Sequence, residues 1–135
     1  MRANLARKTL LPAVVLVAII ASSAADQFET DLDYAQVLNA EATPEASGTW
    51  RFDVTVEHND TGWEHYADAW QVLDARTGEV LGERTLFHPH VNEMPFTRSL
   101  SGVVVPDDVT EVRIRARCNV HGYGGREVVL DVSTR

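Results

Sequence analysis

The sequence predicts an all-β fold, a seven-stranded immunoglobulin-like β-sandwich that follows an N-terminal signal peptide. Short runs of β-branched and aromatic residues are separated by turn residues, and no stretch of the domain sustains a helical period. Seven short strands are typical of an immunoglobulin-like sandwich. We predict strands at residues 35–42, 49–58, 66–74, 79–88, 96–105, 110–118 and 126–133.

Two of these segments alternate most clearly. Residues 50, 52, 54 and 56 are apolar while the residues between them are polar, as expected for a strand with one buried face. Residues 112, 114 and 116 repeat the pattern with arginines between them, and this places Cys118 on the inward face. The second and sixth strands are therefore predicted to line the core.

The N-terminus has the composition of an export signal. Three basic residues precede an apolar run from Leu10 to Ala21, and small residues up to Ala25 offer a cleavage site. We therefore divide the chain into a signal peptide (1–25), a flexible acidic N-terminus (26–34) and a β-sandwich domain (35–135). This division predicts a periplasmic or secreted protein with no membrane span after removal of the signal.

Charge and cysteine content limit the partners. Without residues 1–25 the chain keeps nine arginines and no lysine against twenty acidic residues, a net charge of −11. Such a surface repels nucleic acid and anionic membranes, so we expect no nucleic-acid partner. The chain has one cysteine, Cys118, which is a buried thiol, a metal ligand or an intermolecular link.

All five histidines are predicted to lie at one end of the sandwich, because the connections that follow the second, fourth and sixth strands emerge together there. Imidazole is the commonest transition-metal donor in proteins. The pattern predicts a metal site built from histidines of separate loops, namely His58, His65, His88, His90 and His121.

Two local patterns favour the same chemistry. Residues two apart on an extended chain project to one side, so His88-Pro89-His90 could direct two imidazoles at one ion. Cys118 and His121 lie three apart where a strand runs into a glycine-rich turn, which could fold the imidazole back beside the thiolate.

These residues resemble the superoxide reductase family, which includes desulfoferrodoxin and neelaredoxin. One segment is His58 followed by His65-Tyr66 and Trp70, although its spacing is one residue longer than in the family. The other is Cys118-Asn119-Val120-His121-Gly122, similar to the family's Cys-Asn-x-His-Gly ligand motif but without the tryptophan that usually follows.

The resemblance implies a non-haem iron centre that reduces superoxide to peroxide with an electron donor that the sequence does not identify. In the family, ferrous iron has four equatorial histidines, an axial cysteine and one open position. Here His58, His65 and His121 would be equatorial and Cys118 axial. The family's fourth histidine lies upstream, where the mature chain has none, so His88 or His90 would have to replace it.

The family also has a lysine that attracts superoxide, and the mature chain lacks it. Arg98 or Arg126 are candidates for that positive charge.

Two other interpretations of the sequence stay open. His88 and His90 with His58 or His65 form an imidazole set that suits copper or zinc, with Met94 as a soft donor to copper. Alternatively, the domain is a non-metal module that binds a protein or glycan through Trp63, Tyr66 and Tyr123.

Overall fold

The computed structural model describes residues 30–134, and the predicted signal peptide lies outside them. Within that range the fold is all-β, as predicted, and no helix is long and apolar enough to cross a membrane. The predicted boundaries of the seven strands agree with the structure to within three residues, and one two-residue strand is additional. The strands are β1 (Gln36–Pro44), β2 (Trp50–Glu57), β3 (Ala67–Asp74), β4 (Val80–Thr85), β5 (Phe96–Val103), β6 (Glu111–Cys118), β7 (Gly122–Tyr123) and β8 (Val128–Asp131).

Two antiparallel sheets form the sandwich. One has the order β1-β2-β5 and the other the order β4-β3-β6, with β7 and β8 both paired to β6. Strand β7 continues the sheet beside Cys118, whereas β8 pairs with the beginning of β6. This arrangement confirms the predicted immunoglobulin-like sandwich.

The core lies between the sheets and follows the alternation seen in the sequence. Strand β2 buries Trp50, Phe52, Val54 and Val56, and these side chains pack in one cluster with the fully buried Trp70 of β3. Burial of each large apolar side chain stabilises the fold by roughly 1.5–3 kcal/mol. The core therefore fixes the positions of the strand ends that carry the site.

The connections β2–β3, β4–β5 and β6–β7 emerge at one end of the sandwich, here called the loop end. Residues 31–35 lie against it, since the backbone N–H of Asn59 donates to the carbonyl of Leu32 at 2.9 Å. A Cβ atom on Gly125 would stand 2.1 Å from the carbonyl oxygen of Ala35, so glycine permits this close approach. The N-terminal segment is thus packed over the loop end.

Candidate metal centre

The β2–β3 connection contributes two histidines to the site, His58 at its start and His65 near its end. His58 directly follows β2 and continues its inward face, so the ring is buried. A tight turn presents His65, whose N–H donates to the carbonyl of Gly62 at 3.2 Å. The Nε2 atoms of the two rings lie 3.2 Å apart, and the rings are nearly perpendicular at 76°. Both imidazoles therefore direct a nitrogen to one point.

Cys118 contributes sulfur to the same point. It is the last residue of β6 and pairs in register with Ala67 at the start of β3, which sets it beside the β2–β3 connection. The thiol is fully buried, and the backbone N–H of His121 donates to Sγ at 3.1 Å. The donor atoms of His58, His65 and Cys118 all lie within 4.8 Å of one another.

The backbone carbonyl oxygen of Asp33 faces all three donors. It lies 3.1 Å from Nε2 of His58, 3.3 Å from Nε2 of His65 and 3.5 Å from Sγ of Cys118. The N-terminal segment therefore covers the donor group with an oxygen atom. Every residue has a main-chain oxygen, so the sequence alone does not identify this one as a possible ligand.

Asp60 supports the group from behind, and sequence reasoning missed it. Its carboxylate lies 2.6 Å from Nδ1 of His58 and accepts hydrogen bonds from the backbone N–H groups of Ala67 at 2.9 Å and His90 at 2.8 Å. Burial by itself would raise the pKa of Asp60, but these hydrogen bonds outweigh burial and lower the pKa.

A carboxylate on one nitrogen of a histidine fixes the tautomer and directs the other nitrogen outward. Asp60 therefore orients Nε2 of His58 toward the donor group. Metal-binding histidines in proteins are commonly held in this way. The detectable signal was an acidic residue two positions after a histidine, which is weak in a chain with twenty acids.

His121 lies beside the donor group. Its exposed ring has its centroid 5.1 Å from the His65 ring and 5.1 Å from the Tyr34 ring. Its main-chain contact with Cys118 is the close bend expected from the glycine-rich turn, since Gly122 adopts a φ of 70°. The imidazole edge is thus next to the site and open to solvent.

His88 and His90 lie together but apart from the three donors. Their ring centroids are 4.5 Å apart, so the two rings do come to one side of the chain. His90 is buried, stacks on Phe96 with centroids 4.0 Å apart, and has Nδ1 3.0 Å from Glu93. The link to the centre runs through the main chain of His90, which donates to Asp60.

A cavity of about 290 Å³ lies between the His90 region and the N-terminal segment. Met94 lines it, along with His58 and Asp60.

Arg98 lies over the Phe96 ring, 5.2 Å from its centroid, and donates to the carbonyl of Thr97. The exposed Arg126 is held by its backbone, which donates to Gln36. Both arginines are thus placed by contacts to residues other than the three donors.

The aromatic residues considered for partner binding occupy two places. Trp63 is 65% exposed and packs edge-on against Tyr66 in the β2–β3 connection. Tyr123 instead lies under the guanidinium of Arg115, 3.9 Å from ring centroid to Cζ. Trp63 and Tyr66 therefore lie in the same connection as His65, while Tyr123 packs with the arginine side chains of β6.

No family model matches the chain. A candidate lipoprotein of Halomicrobium mukohataei is 39% identical over 113 residues, which cover 82% of this chain and 55% of that protein. The chain thus spans about half the length of this relative. Among solved structures, the superoxide reductase of Giardia intestinalis matches 69% of this chain and 95% of its own, with 16% identity and a TM-score of 0.43.

Proposed function

We propose that this protein is an exported metal-binding protein that holds one transition-metal ion through His58, His65 and Cys118. The observation that carries this proposal is the meeting of three ligand atoms from separate parts of the chain within 4.8 Å of one another. Two imidazoles and a thiolate are donors that select iron, copper or zinc over magnesium or calcium.

The support around the donors strengthens this proposal. A buried histidine beside a buried carboxylate costs free energy unless both groups are hydrogen-bonded. Here each oxygen of Asp60 accepts a backbone N–H bond, and one oxygen also meets His58. The carboxylate therefore holds the imidazole ready for an ion, since such outer contacts fix ligand orientation in metal sites.

Export is supported by the leader pattern of residues 1–25 and by the relative that is described as a candidate lipoprotein. We infer a periplasmic or secreted location. In an oxidising compartment a free thiol needs protection or a partner, and burial among imidazoles provides both for Cys118.

Reduction of superoxide is the second candidate activity. It is favoured by one observation: the two segments that resemble the superoxide reductase family, around His58–His65 and Cys118–His121, meet at this centre. The family's iron, however, takes four imidazoles. Across residues 30–134, which include every histidine, two imidazoles share the donor group with the thiol and His121 stands beside it. The residues present fit a smaller donor set than the family's iron centre.

Metal titration of the metal-free protein tests the proposal. We expect one equivalent of metal to bind, and we expect Cys118→Ser and His58→Ala to weaken binding by more than 100-fold, since removal of a ligand exceeds the 10–100-fold loss typical of outer contacts. His88→Ala is the matched control, because this exposed imidazole lies outside the donor group. Equal affinity in Cys118→Ser and wild type would contradict the proposed site.

The superoxide candidate has its own readout. Protein loaded anaerobically with ferrous iron should gain a thiolate-to-iron charge-transfer band on oxidation, and Cys118→Ser should abolish it. Absence of the band in iron-loaded wild-type protein would remove the iron reading while leaving metal binding intact.

A further inference from the structure

We infer that the backbone carbonyl of Asp33 is the fourth donor of this centre and completes a four-coordinate His₂Cys site of the kind that holds copper. The inference rests on the proposed function, because it concerns the ion bound by the same three side chains. It adds the identity of the remaining ligand and the class of metal.

The distances among the donors support a shared ion. An ion with bonds of about 2.0 Å to two nitrogens and 2.3 Å to sulfur, and with a longer axial contact to oxygen, keeps these donors roughly 3.3–3.7 Å apart. The Asp33 oxygen lies 3.1, 3.3 and 3.5 Å from the donors of His58, His65 and Cys118. The two Nε2 atoms are 3.2 Å apart. The oxygen thus sits where a fourth ligand belongs.

The contacts of His58 leave one of its nitrogens for an ion. Nδ1 faces the Asp60 carboxylate at 2.6 Å, and Nε2 lies 3.1 Å from the Asp33 oxygen. The same oxygen is 3.3 Å from Nε2 of His65. An ion bound by the two Nε2 atoms would therefore also meet this oxygen.

The segment that carries the oxygen is fixed to the domain. The N–H of Tyr34 donates to the carbonyl of Asp31 at 3.0 Å, and the side-chain amide of Gln36 donates to the same carbonyl at 2.9 Å. On the other side, a Cβ atom on Gly124 would stand 2.8 Å from the ring of Tyr34. The carbonyl of Asp33 is therefore held over the donors by contacts on both flanks.

The donor set points to copper. Two imidazoles and a thiolate with a weak main-chain oxygen form the ligand set of copper electron-transfer sites. Structural zinc usually takes four strong side-chain donors, and this centre offers three. An oxygen in the fourth position also occupies space that additional imidazoles would need around iron.

The first test uses Cu(II), Zn(II) and Fe(II) separately on the metal-free full chain. We expect Cu(II) to bind one equivalent with an intense visible thiolate-to-copper absorption that Cys118→Ser abolishes. Binding of Zn(II) or Fe(II) while Cu(II) gives no such absorption would overturn the inference and leave the proposed function standing. Failure of all three metals to bind would overturn both.

The second test addresses the carbonyl. Tyr34→Pro removes the N–H that donates to Asp31 and biases Asp33 toward another backbone conformation, so copper affinity should fall by about 10–100-fold. Tyr34→Ala also removes the ring but keeps that N–H, so it is the matched control, and its affinity should fall less than that of the proline variant. Equal affinity of the proline and alanine variants would overturn the role of the carbonyl.

A measurement on the unmutated chain guards against local unfolding of the proline variant. In protein labelled with ¹³C at aspartate carbonyls, the Asp33 resonance should shift when diamagnetic Cu(I) is added, while the Asp131 resonance at the other end of the domain should not. An unchanged Asp33 resonance with Cu(I) bound would overturn the assignment.

Discussion

The two ends of the sandwich differ in how many polar side chains they bury. Of the five buried polar or charged residues in the described part of the chain, four lie at the loop end: Gln36, His58, Asp60 and His90. The opposite end, here called the turn end, connects its strands by short turns. At the β3–β4 turn, Asp74 accepts the backbone N–H of Arg76, and Gly78 adopts a φ of 77°.

The loop end buries more polar groups than its turns require. Burial of polar groups costs free energy unless every group finds a partner, and turns alone do not require it. The turn end also borders the larger cavity, about 480 Å³, lined by solvent-facing charged residues such as Arg76 and Asp108. The larger cavity therefore does not coincide with the converging buried donors of the candidate metal centre.

The largest effect should come from Asp60→Ala. The change leaves Nδ1 of His58 and the N–H groups of Ala67 and His90 without their acceptor in a buried site. We expect a loss of at least about 3 kcal/mol in the free energy of unfolding, since each of three buried donors left without its acceptor costs about 1–3 kcal/mol. Urea denaturation of the metal-free protein measures it.

Asp74→Ala is the matched change at the turn end, where the carboxylate caps a turn through the N–H of Arg76. We expect a clearly smaller loss of stability there. Equal losses for the two variants would break the contrast between the ends, because Asp60 would then be no more than another turn cap.

Gly125→Ala should give the next largest effect. The added methyl group would stand 2.1 Å from the Ala35 carbonyl oxygen. Such overpacking forces the neighbouring chain to shift and typically lowers the free energy of unfolding by about 1–3 kcal/mol. Since the strain falls on the segment that carries Asp33, metal affinity should fall as well. Calorimetric titration with copper measures this second effect.

The control is Gly48→Ala at the turn end, where the glycine has a φ of 85° and open space around it. It should lose stability through backbone strain alone and keep its metal affinity. A loss of affinity in Gly48→Ala equal to that of Gly125→Ala would show that the two ends are not independent.

The smallest effect concerns acid stability away from both ends. Asp53 lies on the outer face of β2, and hydrogen bonds from Arg51 and then Ser99 lower its pKa. A lowered pKa in the folded state contributes stability above the ordinary aspartate pKa, and this contribution is lost as pH falls through the folded value.

Asp53→Asn should therefore flatten the fall in stability below about pH 4 slightly, without any effect at neutral pH on metal binding. Thermal unfolding between pH 3 and pH 7 measures it. Because the pair is exposed to solvent, the change should be smaller than either of the preceding ones. An unaltered pH profile would mean that the Arg51 contact contributes nothing in solution.

Side-chain patterns predicted the fold well. The alternation in residues 50–56 and 112–116 is a direct consequence of one buried face, so it identified β2, β6 and the inward direction of Cys118. The strand predicted to reach residue 88 ends three residues earlier, at Thr85, and Pro89 beyond it cannot donate to a ladder. His88 and His90 consequently lie in a loop.

The site was harder to predict than the fold. The loop end collects the histidines because loop connectivity follows from strand order, but the position of each ring depends on packing. His90 looks like a ligand in the sequence, yet its ring stacks on Phe96. Asp60 and the Asp33 carbonyl are recognised only by their contacts, which no spacing of residue types specifies.

The position of residues 31–35 also determines which end of the sandwich a protein fused to the N-terminal side of the domain would approach. Leu32 contacts Asn59 at the loop end, whereas β8 ends beside Glu111 at the turn end. A protein fused directly ahead of Thr30 would therefore stand beside the candidate metal centre. A protein fused directly after Thr134 would stand at the opposite end of the sandwich and leave the candidate centre accessible.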